Sequence, residues 1–167
     1  MRLAMPLLLG GLALTAVACA PVAGPAPTAL VPVYATAPIA NYDWYLHTDG
    51  DEASLAYGLR DSDDLRLGLN CRRGSSRLAL SALGETGTAP EISLESGGEA
   101  ALYPATVEAS ELTDGVVLSA MAPATAPVFQ RFQAVGWLAH RQADDIHPYV
   151  AHPGSRARIA RFFAFCG

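Results

Sequence analysis

The chain has 167 residues, 51% of them hydrophobic and 16% charged, with 11 Lys+Arg against 16 Asp+Glu for a net charge of −5. So apolar a composition buries a core and is not that of a disordered tail, and the length fits one domain. The acidic balance argues against charge-driven binding to nucleic acid or to an anionic membrane surface, and with no lysine anywhere a Walker phosphate loop, Schiff-base chemistry and serine-lysine acyl transfer are excluded.

Residues 1–18 have the pattern of a secretory signal peptide. The amino terminus and Arg2 precede an uncharged stretch, Leu3 to Ala18, that carries Leu7, Leu8, Leu9, Leu12 and Leu14. The apolar run between Pro6 and Pro21 falls short of the roughly 20 residues a membrane-spanning helix needs. It ends in Ala16-Val17-Ala18-Cys19, which resembles the lipobox of bacterial lipoproteins, where small residues precede a cysteine that is acylated and becomes the new N-terminus. Ala16 stands where that family usually has leucine, and the same residues suit ordinary signal peptidase cleavage, so both cleavages are kept. The cysteine count favours the first. Of Cys19, Cys71 and Cys166, one lipidated residue leaves one pair for a disulfide in an oxidising compartment.

Residues 19–40 then read as the lipidated cysteine and a spacer. Pro21, Pro25, Pro27, Pro32 and Pro38 stand among Ala, Val and Thr without a charge, a composition that gives a semi-rigid extended link between an anchor and a domain. With this spacer and a β-rich remainder, the chain is similar to small envelope lipoproteins of bacteria. That resemblance implies an outer-membrane anchor facing the periplasm, since Ala20 replaces the aspartate that retains such proteins at the inner membrane.

From Asn41 the texture is antiparallel β punctuation, and residues 41–167 form the expected single domain. Tyr42, Trp44 and Leu46 alternate, Asp49-Gly50-Asp51 turns the chain, and Ala53 to Arg60 returns. After a turn at Asp61 to Asp64, Leu65, Leu67, Leu69 and Cys71 hold strict period two, which puts the cysteine on the apolar face. Arg72 to Ser76 closes a hairpin, Arg77 to Leu83 runs back, and Glu85 to Pro90 is loop. Ile92 and Leu94 precede the hairpin signal Gly97-Gly98, and Asp114-Gly115 turns into Val116 to Ala120.

Pro127 opens a short helix with Val128, Phe129, Phe132 and Val135 at helical spacing, stopped by Gly136, and Trp137 to Arg141 reads as a further strand. The final residues are a helix that Ser155 can cap, with Ile159, Phe162, Phe163 and Cys166 at i, i+3, i+4 and i+7. The expected fold is mainly β, an antiparallel β-sandwich or half-open barrel of about seven to eight strands with a short helix and a C-terminal helix. Cys71 and Cys166 each point inward, one from a strand and one from a helix. A disulfide between them closes a loop of roughly 95 residues, worth about 4 to 5 kcal/mol in the chain-entropy account.

No motif names a reaction. His140, His147 and His152 lie near Asp144 and Asp145 and are the weak candidates for a metal site. They match neither H-E-x-x-H nor a cysteine-paired site, and His147-Pro148 and His152-Pro153 read as loop. Asp61, Asp63 and Asp64 are no calcium loop, because Arg66 and Arg72 occupy its glycine and glutamate positions. There is no nucleophile elbow. Arg72 and Arg73, with Arg158 and Arg161 on the final helix, are weak candidates for contact with an anion or an acidic partner. The expectation is a lipid-anchored periplasmic envelope protein that binds an envelope protein or cell-wall component, without a cofactor, a catalytic residue or a nucleic-acid partner. The alternative is a periplasmic hydrolase or metal-binding protein that uses His140 to His152.

Overall fold

The computed structural model describes residues 37–111 and 114–167. The signal-peptide stretch, Cys19 and the spacer as far as residue 36 lie outside them. Among the described residues no helix is long and apolar enough to cross a membrane.

Nine strands and two helices follow one another: β1 (Tyr42–Asp49), β2 (Glu52–Leu59), β3 (Leu65–Arg72), β4 (Arg77–Gly84), β5 (Glu91–Ser96), β6 (Glu99–Ala109), β7 (Val116–Pro123), α1 (Pro127–Val135), β8 (Trp137–Gln142), β9 (Asp145–Val150) and α2 (Arg156–Cys166). All neighbours are antiparallel, in the order β1-β2-β3-β4-β7-β6-β5-β8-β9. The sheet curls into a nearly closed barrel. β6 changes partner along its length: residues up to Pro104 pair with β5 and those after it with β7. Proline has no N–H to give to a ladder, so the change of partner falls where a ladder bond is lost in any case.

Period two puts one face of each strand inside. Leu55 and Tyr57, Leu67 and Leu69, Leu78 and Leu80, and Ile92 and Leu94 are all buried there. Leu65, the first residue of the expected apolar face of β3, is 46% exposed. It lies just beyond the irregularity in β2–β3 pairing at Tyr57 and Gly58.

The two helices pack on the barrel strands. Pro127 starts α1 and Gly136, in the left-handed conformation at φ 79°, ends it. α1 packs on β5, β6 and β8, and α2 packs on β1, β2 and β3. The interlock is aromatic: Phe132 meets Trp44 at 4.8 Å between ring centroids, Phe129 lies over Tyr103 at 6.1 Å, and Phe162 meets Phe163 edge-on at 5.2 Å. Such pairs contribute roughly 0.5–1.5 kcal/mol each beyond the area they bury. The four apolar residues of the expected α2 stripe, Ile159, Phe162, Phe163 and Cys166, are all buried, and the Cys166 sulfur lies 1.96 Å from that of Cys71 across a sequence separation of 95.

Two expectations are corrected. The segment around His147-Pro148, expected as loop, is strand β9, which raises the strand number to nine. β9 is an edge strand, where proline is tolerated, and its hairpin with β8 turns through Ala143 at φ 48° without a glycine. Ser155 makes no side-chain cap bond to α2. A 3-10 turn, Pro153–Ser155, precedes the helix, and the Ser155 hydroxyl donates instead to Asp43 on β1.

Candidate functional site

A cleft of about 1190 Å³ lies where β4 ends and β7 and β9 begin. Its walls come from well-separated segments: Ile39 and Tyr42 at the start of β1, Tyr57 on β2, Arg66 on β3, the loop after β4 that contains Glu85 and Thr86, Glu91 on β5, Asp114 before β7, and the β8–β9 hairpin from Arg141 to Tyr149. The amide of Gln142 donates to the Leu83 carbonyl, which ties the β8–β9 hairpin to the end of β4.

Three stacked tyrosines form one wall. Tyr57 lies 6.0 Å from Tyr42 and 4.8 Å from Tyr149, at interplanar angles of 27° and 29°. Burial pushes the Tyr57 hydroxyl up to about 12, with Asp43 adding to the shift, and burial also raises Tyr149. Both phenols therefore stay protonated at neutral pH. The Tyr57 hydroxyl is buried and has no hydrogen-bond partner among the described residues. Tyr42 donates to Asp64, and Arg66 binds both Asp64 at 2.8 Å and the Tyr42 hydroxyl at 3.4 Å. Arg141, across the cleft, is ion-paired to Glu95 at 3.4 Å.

The sequence candidates are dispersed through this frame. His140 on β8 is 1% exposed, and both its ring nitrogens lack partners among the described residues. It faces Leu94 on β5 and His147 on β9. Burial pushes the His140 imidazole down to about 4, and His147 adds to that shift. His147 and Asp145 line the cleft, Asp144 sits in the hairpin turn, and the ring of His152 pairs with the Ile39 carbonyl at 3.2 Å. Among the described residues no three His, Cys, Asp or Glu side chains are grouped to hold a metal ion.

The arginines separate likewise. Arg72 lines a smaller hollow of about 560 Å³ with His47, Arg77 and Met121. Arg73 covers the Phe165 ring at 4.0 Å and binds Asp51 at 3.3 Å. Arg158 turns inward to Asp43 at 3.3 Å and the Trp44 carbonyl at 3.0 Å. Arg161 is exposed on α2.

Sequence reasoning missed Asp43. This carboxylate accepts from the backbone N–H of Trp44 at 2.8 Å and of His152 at 3.2 Å, from Ser155 and from Arg158. It also missed the cleft, whose lining has no local signature beyond the loop at Glu85 to Pro90. No protein-family model, curated protein or solved structure matches this chain.

Proposed function

We propose that this chain is an exported, lipid-anchored, non-enzymatic binding module of the bacterial cell envelope. It is held by an acylated Cys19 at the periplasmic face of the outer membrane and offers its cleft to an envelope protein or a cell-wall component. One observation carries the reading: the described residues form a cleft of about 1190 Å³ with three stacked tyrosines, Tyr42, Tyr57 and Tyr149, along one wall. A cleft of that volume has room for a ligand, and the lipobox-like Ala16-Val17-Ala18-Cys19 with its proline-bearing spacer supports the anchor.

The anchor is tested by fractionation and mass. One acyl chain holds a protein weakly to a bilayer and two or more hold it stably, so wild-type protein is expected in the membrane fraction with a lipid-bearing mass and Cys19→Ser in the soluble fraction. Wild-type protein without lipid, or a Cys19→Ser variant that still pellets with membranes, overturns it. The binding face is tested with a photo-crosslinking residue at Thr86, in the cleft, against one at Ser119, on the outer face of β7. Cell-wall material or an envelope protein captured from Thr86 and not from Ser119 supports the reading, and equal capture or none from Thr86 overturns it.

A further inference from the structure

The cleft contains charges of both signs, but they are not equivalent. Its two arginines are each matched by a carboxylate, Arg66 by Asp64 at 2.8 Å and Arg141 by Glu95 at 3.4 Å. Four further carboxylates line the same cleft, Glu85, Glu91, Asp114 and Asp145, and none has an ion-pair partner among the described residues. They come from four places in the fold: the loop after β4, the first residue of β5, the turn before β7 and the first residue of β9. A concave site lined by one uncompensated sign concentrates the opposite charge, and the net charge of −5 acts in the same direction.

We infer that the cleft binds a linear organic polycation, with ammonium groups carried on a flexible aliphatic chain. The spacing of the carboxylates selects this class over a metal ion. No three acidic or histidine side chains among the described residues converge as ion ligands, so the negative charge is spread along the cleft and suits a ligand whose positive charges are spread too. Between the carboxylates, Ile39, Leu83 and Pro148 offer apolar surface to methylene groups. A second observation points to the same ligand. Tyr57 is 1% exposed and lines the cleft wall, and its hydroxyl has no partner among the described residues. That leaves a phenol oxygen able to accept from an ammonium group, beside rings whose faces and edges attract cations. The inference rests on the cleft being the binding face and is independent of the anchor.

The test is calorimetric titration of the full chain with spermidine at low and physiological salt, with magnesium chloride as the compact cation of comparable charge. One-to-one spermidine binding, stronger than that of magnesium and weakened by salt, is expected. Each carboxylate neutralised should weaken it about 1.4- to 5-fold, so Glu91→Gln/Asp114→Asn/Asp145→Asn should weaken it by about 3- to 125-fold. A control with the same charge change outside the cleft, Glu52→Gln/Asp61→Asn/Glu99→Gln, should leave it within about twofold. No spermidine binding, magnesium binding as tightly, or equal weakening by both triple variants overturns the inference. All six positions are exposed and the changes are isosteric. Far-UV circular dichroism confirms the fold, and the magnesium comparison needs no variant. Cleft crosslinking that succeeds while spermidine fails to bind rejects the ligand class and leaves the binding face standing.

Discussion

Asp43 and Ser155 bond side chain to side chain across the open seam of the barrel, 112 residues apart in sequence. The other Asp43 oxygen holds the His152 N–H, and Arg158 reaches the first from α2. One carboxylate on edge strand β1 thus fixes the chain that leaves the other edge strand, β9, and the start of α2. The Trp44 indole adds an N–H bond to the Tyr149 carbonyl at 3.2 Å. The sheet need not close by a ninth backbone ladder, because side chains from β1 make the connection.

Removing that carboxylate strands several donors at once. In Asp43→Ala the Ser155 hydroxyl, which is 2% exposed, and the His152 N–H lose their acceptor, and Arg158 keeps only the Trp44 carbonyl and Ser155. A buried group left without its partner costs about 1–3 kcal/mol, and Asp43→Ala is expected to lower the unfolding free energy by about 3 kcal/mol in urea titration. Arg158→Ala should cost less, because its side chain is partly exposed. An Asp43→Ala protein as stable as wild type would refute the seam assignment.

The Cys71–Cys166 pair acts at the other end of α2. It fixes the last turn of α2 to the end of β3, and backbone bonds from Gly74 to Phe165 at 3.0 Å and from Ser76 to Cys166 at 2.8 Å surround it. Replacing both cysteines by serine is expected to cost about 2–5 kcal/mol, a large share of the stability of a domain this size. Thiol counting on unfolded, unreduced protein should find neither Cys71 nor Cys166 titratable, and two free thiols from that pair would remove the assignment.

What was legible in the sequence was what depends on period. Alternation marked β3 and delivered Cys71 to the inner face, and helical spacing marked the buried side of α2 and delivered Cys166, because each pattern is a local record of one solvent boundary. β9 was not legible, since its proline and its glycine-free turn at Ala143 imitate loop chemistry and are permitted only by its place at the sheet edge. Asp43 looked like the polar member of an alternating strand. Its role comes from partners more than 100 residues away, which no window contains. The cleft is illegible for the same reason, being the shared margin of strands whose sequence neighbours lie elsewhere.

The histidine segment is one case where the structure sharpens the question. His140 and His147 are directly opposed on β8 and β9, while His152 is occupied at the Ile39 carbonyl. Two imidazoles are fewer than the three protein ligands of a catalytic zinc site. Calorimetric titration with zinc and with copper is expected to show no stoichiometric binding. A stoichiometric ion that disappears in a still-folded His140→Ala/His147→Ala variant would falsify this and bring the metal-dependent reading to the front.

His140 also makes stability depend on pH, and the sign follows from its surroundings. Its ring is buried opposite Leu94 and His147, and burial, with a smaller contribution from His147, holds it down to about 4 against 6.5 in a solvated imidazole. Between those values the unfolded chain binds a proton that the folded one refuses, so stability rises with pH across the window. The contribution is complete above 6.5 and is lost as pH falls to 4. A shift of that size corresponds to about 3 kcal/mol. His140→Leu removes the proton acceptor and keeps an apolar side chain beside Leu94. Urea unfolding of the two proteins at a series of pH values from 7 to 4 should show wild type losing about 3 kcal/mol more than the variant. Parallel curves would mean that His140 is solvated, or finds a partner, in the folded protein.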